Sequence, residues 1–212
     1  MMRLDPNLRF ERRFWKGGWT YVAGLDEAGR GALAGPIAVG AVILPPPGHP
    51  ALQNSGRRVL RGVRDSKQMT APDREAAAER IRAHALAYSV GFASSDEIDS
   101  HGIVAAGRLA ALRALEGLAL LPDALLTDFR LELPELDIPQ TSLVKGDVRC
   151  LSIAAASVLA KTARDALMFR MDSCIPGYGL AQHKGYGTRL HRKAIQRMGR
   201  SPIHRRTFSV SS

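Results

Sequence analysis

Tyr21 to Leu25 is an apolar run short enough to be a buried strand. It leads without a break into two adjacent acids, Asp26 and Glu27, and then into a stretch holding Gly29, Gly31 and Gly35. No other segment restricts the fold as much, because a buried strand has to sit inside a sheet and its acids have to emerge where the sheet ends. Side chains alternate along a strand, so Asp26 and Glu27 are expected on opposite faces unless the pleat breaks there, and Gly29 and Gly31 supply the flexibility for a break. Gly29-Arg30-Gly31 also lets backbone come close to a ligand and present its amide N–H groups, with Arg30 at hand for a phosphate. The acids read in two ways: as a cap or turn with solvated side chains, or as ligands for a metal ion beside an anion-binding backbone. The stretch as a whole favours the second.

The rest of the chain can supply a core for such a sheet. At 212 residues and 45% hydrophobic it is expected to fold as one domain with at most a small appendage. The N-terminal residues carry Arg3, Arg9, Arg12 and Arg13 without the apolar centre of a signal peptide, and the apolar run Ile37 to Leu44 is too short to span a bilayer. Cys150 and Cys174 are too few for a zinc site of thiolates or a disulfide scaffold. These features point to a soluble, cytoplasmic protein. The formal charge of +10 is unevenly spread: no acid follows Asp172, whereas Lys184, Arg189, Arg192, Lys193, Arg197, Arg200, Arg205 and Arg206 do. A polyanion is the partner this suggests, nucleic acid ahead of membrane, the alternative being a solvated basic tail.

Along the chain, Leu8 to Trp15 reads as a short helix and Ile37 to Leu44 as a strand antiparallel to the first. Gly48 to Gly62 reads as a surface loop. Thr70 caps a helix from about Pro72 to His84, with Asp65 and Lys67 before it as a local ion pair. Ala87 to Ala93 is a third strand, and Ser95 with Asp96 and Glu97 opens a helix to about Leu118. Ala124 to Asp128 is a second apolar run ending in a carboxylate, and Gln140 to Lys145 is a further short strand. Ser152 to Met168 is the strongest helix, capped by Ser152, with Ile153, Ala156, Ala160, Ala163 and Leu167 on one face. Asp147 lies just ahead of it, to cap a turn or reach a metal. A last helix spans about Thr188 to Met198. Tyr186 reads equally as a stacking platform for a sugar or base and as a core residue. His183 and His191 lack helical zinc spacing and read as surface or phosphate-contacting residues.

Taken together, Asp26 to Gly31 with Leu33 to Pro36, Asp65-Ser66-Lys67, Lys145-Gly146-Asp147, Ser152 to Lys161 with Arg164-Asp165, and His183 to Thr188 resemble ribonuclease HII, the type 2 ribonuclease H family, in family order. The resemblance implies a ribonuclease H-like α/β fold with a mixed central sheet flanked by helices and a helical, basic C-terminal part. Residues 1–172 would form the catalytic domain and residues 173–212 a basic segment packed on it. It implies cleavage of RNA in RNA–DNA hybrids and of single ribonucleotides in duplex DNA, cutting 5′ of the ribonucleotide to leave a 3′-hydroxyl and a 5′-phosphate, by a monomer. It implies a Mg²⁺ or Mn²⁺ site of Asp26, Glu27, Asp128 and Asp147, hard oxygen donors suited to two-metal-ion hydrolysis. Gly29, Arg30 and Gly31 would read the 2′-hydroxyl, Tyr186 would stack on the sugar 3′ of the ribonucleotide, and Lys67, Lys145 and Lys184 would contact phosphates. One departure stands out: family members commonly have Asp-Gly where this chain has Asp128-Phe129. Asp137 is the substitute ligand if Asp128 is not one.

Overall fold

The computed structural model describes residues 5–49, 60, 62–129 and 131–210, so most of the expected loop from Gly48 to Gly62 lies outside the described residues. Helix α1, Arg9–Lys16, precedes strand β1, Val22–Ala28, and β2, Ile37–Ile43. Helix α2, Ala71–His84, strand β3, Ala87–Ala93, helix α3, Ser95–Glu116, and strands β4, Ala124–Asp128, and β5, Gln140–Leu143, follow. Helices α4, Leu151–Cys174, α5, Leu180–His183, and α6, Arg189–Met198, complete the order.

The sheet runs β3-β2-β1-β4-β5. β1 and β2 are antiparallel with Asp26 opposite Gly40, and β2 and β3 antiparallel with Ile37 opposite Ala93. β1 pairs parallel with β4, Leu25 beside Thr127, and β4 parallel with β5. The mixed pairing has a consequence for the site: β1 and β4 end on the same side, so their terminal acids come together there.

Alternation along β1 and β2 builds two cores. Ala23, Leu25, Ile37, Val39 and Ile43 pack with Ile98, Ala106, Ala110 and Ala114 of α3. On the opposite face Val42 meets Ala77 and Ile81 of α2 and Ala155, Val158 and Leu159 of α4, while Val22 and Leu126 meet Ile153. α4 lies close against the sheet because Gly24 and Gly40 have no side chain: a Cβ would fall 2.3 Å from the carbonyl carbon of Ser152 and 2.3 Å from the oxygen of Ala156, respectively.

Two expectations about caps change. α3 begins one residue after a capping box, in which the Ser94 hydroxyl accepts the Glu97 N–H and the Glu97 carboxylate accepts the Ser94 N–H. Ser152 lies inside α4 and caps nothing. Its own N–H is accepted by Glu11 of α1 at 2.8 Å, which brings a carboxylate to the positive end of the helix. The expected face of α4 holds at Ile153, Ala156 and Ala160; Ala163 and Leu167 are only partly buried, and Arg164 and Met168 take the inward positions.

Candidate active site and its support

β1 stays extended to Ala28, so no pleat break separates its acids; alternation keeps Asp26 on the α4 face and Glu27 on the other. Both reach the site because it lies at the strand end. Asp26 is 4% exposed. Its Oδ1 accepts the Glu27 N–H at 2.8 Å, and Ser157 of α4, whose hydroxyl is 3.0 Å from that of Ser66, lowers its proton affinity. Asp128 ends β4 and accepts the Gly146 N–H at 2.7 Å, which ties it to the 3-10 turn Gly146–Val148 carrying Asp147. An open cleft of about 590 Å³ is lined by Glu27, Asp128 and Asp147, by Asp65, Lys67 and Lys145, and by Phe129. A larger cleft, about 1110 Å³, lies beside α1 with Asp5 as the one acid in its lining, so it has no comparable cluster.

The four acids expected as ligands thus share one neighbourhood, and their charges act on one another. Burial pushes the Asp26 carboxyl well above its usual range, with Glu27, Asp128 and Asp147 adding to the rise. Burial also raises Glu27, with Arg30 opposing and Asp128 reinforcing it. Asp147 is pushed up to about 6 by burial, by the charges of Asp65 and Asp128, and by a hydrogen bond with Asp65. Two cations stand against this charge. Arg30 Nη1 is 3.6 Å from Glu27 Oε1. The Lys67 ammonium, despite burial, is raised by Asp26, Asp147, Asp65 and Asp128.

Asp65 is the member that sequence reasoning missed. Its Oδ1 accepts the Lys67 N–H at 2.9 Å and caps the 3-10 turn Ser66–Gln68, while Lys67 extends toward the acids, in place of the expected local ion pair. Asp-Ser-Lys in the resemblance was the one signal that could have found it. The other acids near β4 stand apart: Asp123 accepts the Thr20 and Tyr21 N–H groups, and Asp137 is exposed in the loop before β5.

The acids fit a hard divalent cation. The donors are all carboxylate oxygens, Glu27 Oε2 is buried with no hydrogen-bond partner, and the mutual rise in proton affinity is what a shared cation relieves. As they stand, no three or more Asp, Glu, His or Cys side chains among the described residues are gathered so that they could hold a metal ion.

The other expected binding residues lie along the glycine-rich loop and beyond it. Gly29 has φ +90°, and a Cβ there would fall 2.0 Å from Arg164 Nε; Gly31 is exposed, and a Cβ there would meet nothing within 4 Å. Tyr186 pairs with Ala32 through an isolated bridge, and its ring lies under Lys161 Nζ at 5.2 Å and Arg164 Cζ at 5.4 Å. It lines a second cleft, about 750 Å³, with Arg74, Lys161, Asp165 and Lys184. Lys145 and Lys184 both adopt left-handed backbone, φ +54° and +53°.

The basic C-terminal segment is built into this support. Arg205 and Arg164 are 1% and 0% exposed. Arg164 donates to the carbonyls of Pro36, Ala34 and Lys184 at 2.8, 3.1 and 2.9 Å, and Arg205 to those of Gly35, Arg30 and Gly29 at 3.0, 2.8 and 2.7 Å. Burial, and then the Arg164 charge, push the Arg205 guanidinium down to about 9. His183 and His191, expected as surface or phosphate-contacting residues, are buried and stack at 4.2 Å. His183 Nδ1 accepts the Gly185 N–H and its Nε2 lies 2.8 Å from the Tyr178 carbonyl, which fixes one neutral tautomer. His191 Nδ1 lies 3.0 Å from the Tyr186 carbonyl, its Nε2 is 3.1 Å from His204 Nε2, and His204 Nδ1 accepts the Ser201 N–H. Two neutral imidazoles satisfy that chain, and burial pushes His191 down to about 4.

Comparison with known proteins agrees with this arrangement. A family model described as Ribonuclease HII matches residues 23–211. The chain is 48% identical over 203 residues to a ribonuclease HII of Chloroflexus aurantiacus, covering 96% of this chain and 93% of that one. It is 48% identical over 204 residues to one of Dehalococcoides mccartyi, again covering 96% and 93%. Among solved structures it is similar to the ribonuclease H2 of Pyrococcus horikoshii, with TM-score 0.70, 25% identity, and coverage of 89% of this chain and 94% of that one. With a ribonuclease H-like sheet, acids gathered at the ends of β1 and β4, and a family match over nearly its whole length, this chain belongs to the ribonuclease HII family of metal-dependent endoribonucleases.

Proposed function

We propose that the chain cleaves the RNA strand of RNA–DNA hybrids and single ribonucleotides embedded in duplex DNA, cutting on the 5′ side of the ribonucleotide to leave a 3′-hydroxyl and a 5′-phosphate. The observation that carries this reading is the mutual charge of Asp26, Glu27, Asp128 and Asp147, the last three lining one cleft beside a glycine-rich loop. These four acids would hold Mg²⁺ or Mn²⁺, two ions in the full reaction, which would supply an activated water and neutralise charge on the departing 3′ oxygen. The Glu27 N–H keeps the Asp26 carboxyl in place, and the Gly146 N–H does the same for Asp128. Lys67 sits among the acids and meets the scissile phosphate, while Lys145 and Lys184 hold phosphates farther along the strand. Gly29-Arg30-Gly31 reads the 2′-hydroxyl with backbone groups, and Tyr186 stacks on the neighbouring sugar. Residues 1–172 are the catalytic unit and residues 173–212 its basic extension. The basic extension favours nucleic acid over membrane as partner of a cytoplasmic monomer.

The test is cleavage of a DNA duplex containing one ribonucleotide, beside the all-DNA duplex, with Mg²⁺, with Mn²⁺ and with chelator. The expected result is a metal-dependent nick 5′ of the ribonucleotide, lost in Asp128→Asn. Tight binding without a nick would leave the basic surface as a binding function and end the catalytic reading; full activity in Asp128→Asn would remove that ligand and return attention to Asp137.

A further inference from the structure

We propose that Arg205 is a positioning residue for ribose recognition, acting through the peptide planes of the glycine-rich loop. The inference rests on the reading of Gly29-Arg30-Gly31 as the element that meets the 2′-hydroxyl. Glycine-rich backbone has several accessible orientations, and an element that reads a hydroxyl through its N–H groups has to be held in one of them. In a planar trans peptide the carbonyl of one residue and the N–H of the next point in opposite directions. Arg205 Nη2 and Nη1 hold the carbonyls of Gly29 and Arg30 at 2.7 and 2.8 Å. The N–H groups of Arg30 and Gly31 are thereby turned away from the guanidinium, and Gly31 is exposed. Nε meets the Gly35 carbonyl at 3.0 Å, so a single rigid fork spans both ends of the loop.

The segment carrying Arg205 is itself anchored from two sides. Its own N–H meets the Leu33 carbonyl at 2.9 Å. Asp99 of α3 accepts the N–H groups of Arg206 and Thr207 at 2.8 and 3.0 Å. A residue needed only to fill space here would be apolar, since burying a guanidinium without a carboxylate costs solvation that each carbonyl contact has to offset. The match of a planar fork to consecutive carbonyls is the feature a filler would lack, and lysine, a point donor on a flexible stem, cannot reproduce it.

The experiment compares wild type, Arg205→Lys, Arg205→Met and Asp99→Ala on a duplex with one ribonucleotide and on the all-DNA duplex, with Mg²⁺ or Mn²⁺. It is run at a temperature where circular dichroism shows each variant folded. In Arg205→Lys, kcat is expected to fall roughly 10- to 100-fold, as for a reacting group displaced by about 1 Å, with KM and the metal concentration for half-maximal rate little changed. Asp99→Ala, altered at an exposed anchor, shifts the same parameter in the same direction by less. Wild-type kcat and wild-type discrimination in folded Arg205→Lys, or a loss that follows only the unfolded fraction, would overturn the inference while leaving the enzyme reading intact. Failure of the wild type itself to nick at the ribonucleotide would remove that reading, and the inference with it.

Discussion

Two clusters of buried charge among the described residues are treated in opposite ways. At the ends of β1 and β4, acids gather with too little positive charge, and Asp26, Glu27 and Asp147 all bind protons more readily than usual. Beneath the glycine-rich loop, Arg164 and Arg205 are buried without a carboxylate, yet carbonyl oxygens accept from both forks, and the histidines beside them are neutral and paired. Burial is similar in the two regions. What separates them is completeness: the basic cluster closes on the protein's own groups, and the acidic one, on the function proposed above, would close on a cation. A deficit of counter-charge, more than burial or a shifted pKa, is what marks a place for a ligand.

The largest expected effect lies on the incomplete side. Asp26→Asn should lower cleavage by about a thousand-fold or more, the scale of several kcal/mol of lost metal-ion assistance. It should also raise the stability of the metal-free protein by removing a repelled carboxyl and weaken the rise in Tm that Mn²⁺ gives the wild type. Thermal melts with chelator and with Mn²⁺ check both; a destabilised metal-free variant would mean the acids are already balanced. On the complete side, Gly29→Ala should cost roughly 3 kcal/mol in urea denaturation, because the new methyl meets the Arg164 side chain from a left-handed backbone.

The next effect is in pH, where the two regions pull in opposite directions. His191 titrates at about 4 when folded against 6.5 when free. The unfolded chain therefore takes up a proton that the folded one refuses, and stability is lost as pH falls from 6.5 toward 4. Asp147 titrates at about 6 when folded against 3.8, so the metal-free protein gains stability as pH falls from about 6 toward 3.8. Urea titrations with chelator should show His191→Gln flattening the first trend and Asp147→Asn removing the second. The smallest effect on stability is expected for Gly31→Ala, within about 0.5 kcal/mol, since open space surrounds it. Its cleavage rate should nevertheless fall, and an unchanged rate would mean the outer side of the loop meets no substrate.

Much of the sheet was legible because its signals are local. Apolar runs, a capping threonine at Thr70 and the acids at the ends of β1 and β4 lie within a few residues of the elements they define. The parts that escaped depend on distant partners. Ser152 looked like a cap, but Glu11, 141 residues away, performs the task. His183 and His191 looked like surface groups because one histidine in isolation gives no sign that another will stack on it. Arg205 was counted with a basic tail, since net charge cannot tell a solvated cation from one enclosed by carbonyls. Asp65 read as half of a local pair until the fold turned Lys67 toward the acids.

The fork of Arg205 also sets an order in time. Gly29 is made early, and the guanidinium that steadies its carbonyl lies 176 residues later. A ribosome adds residues in sequence, so β1, β2 and β3 can pair long before the residue that secures the loop exists. The nascent chain therefore carries its acids and its glycine-rich loop with that loop unclasped until Arg205 emerges. Truncation just before Arg205 would leave the whole of the sheet's sequence present and the loop in the condition of an unfinished chain.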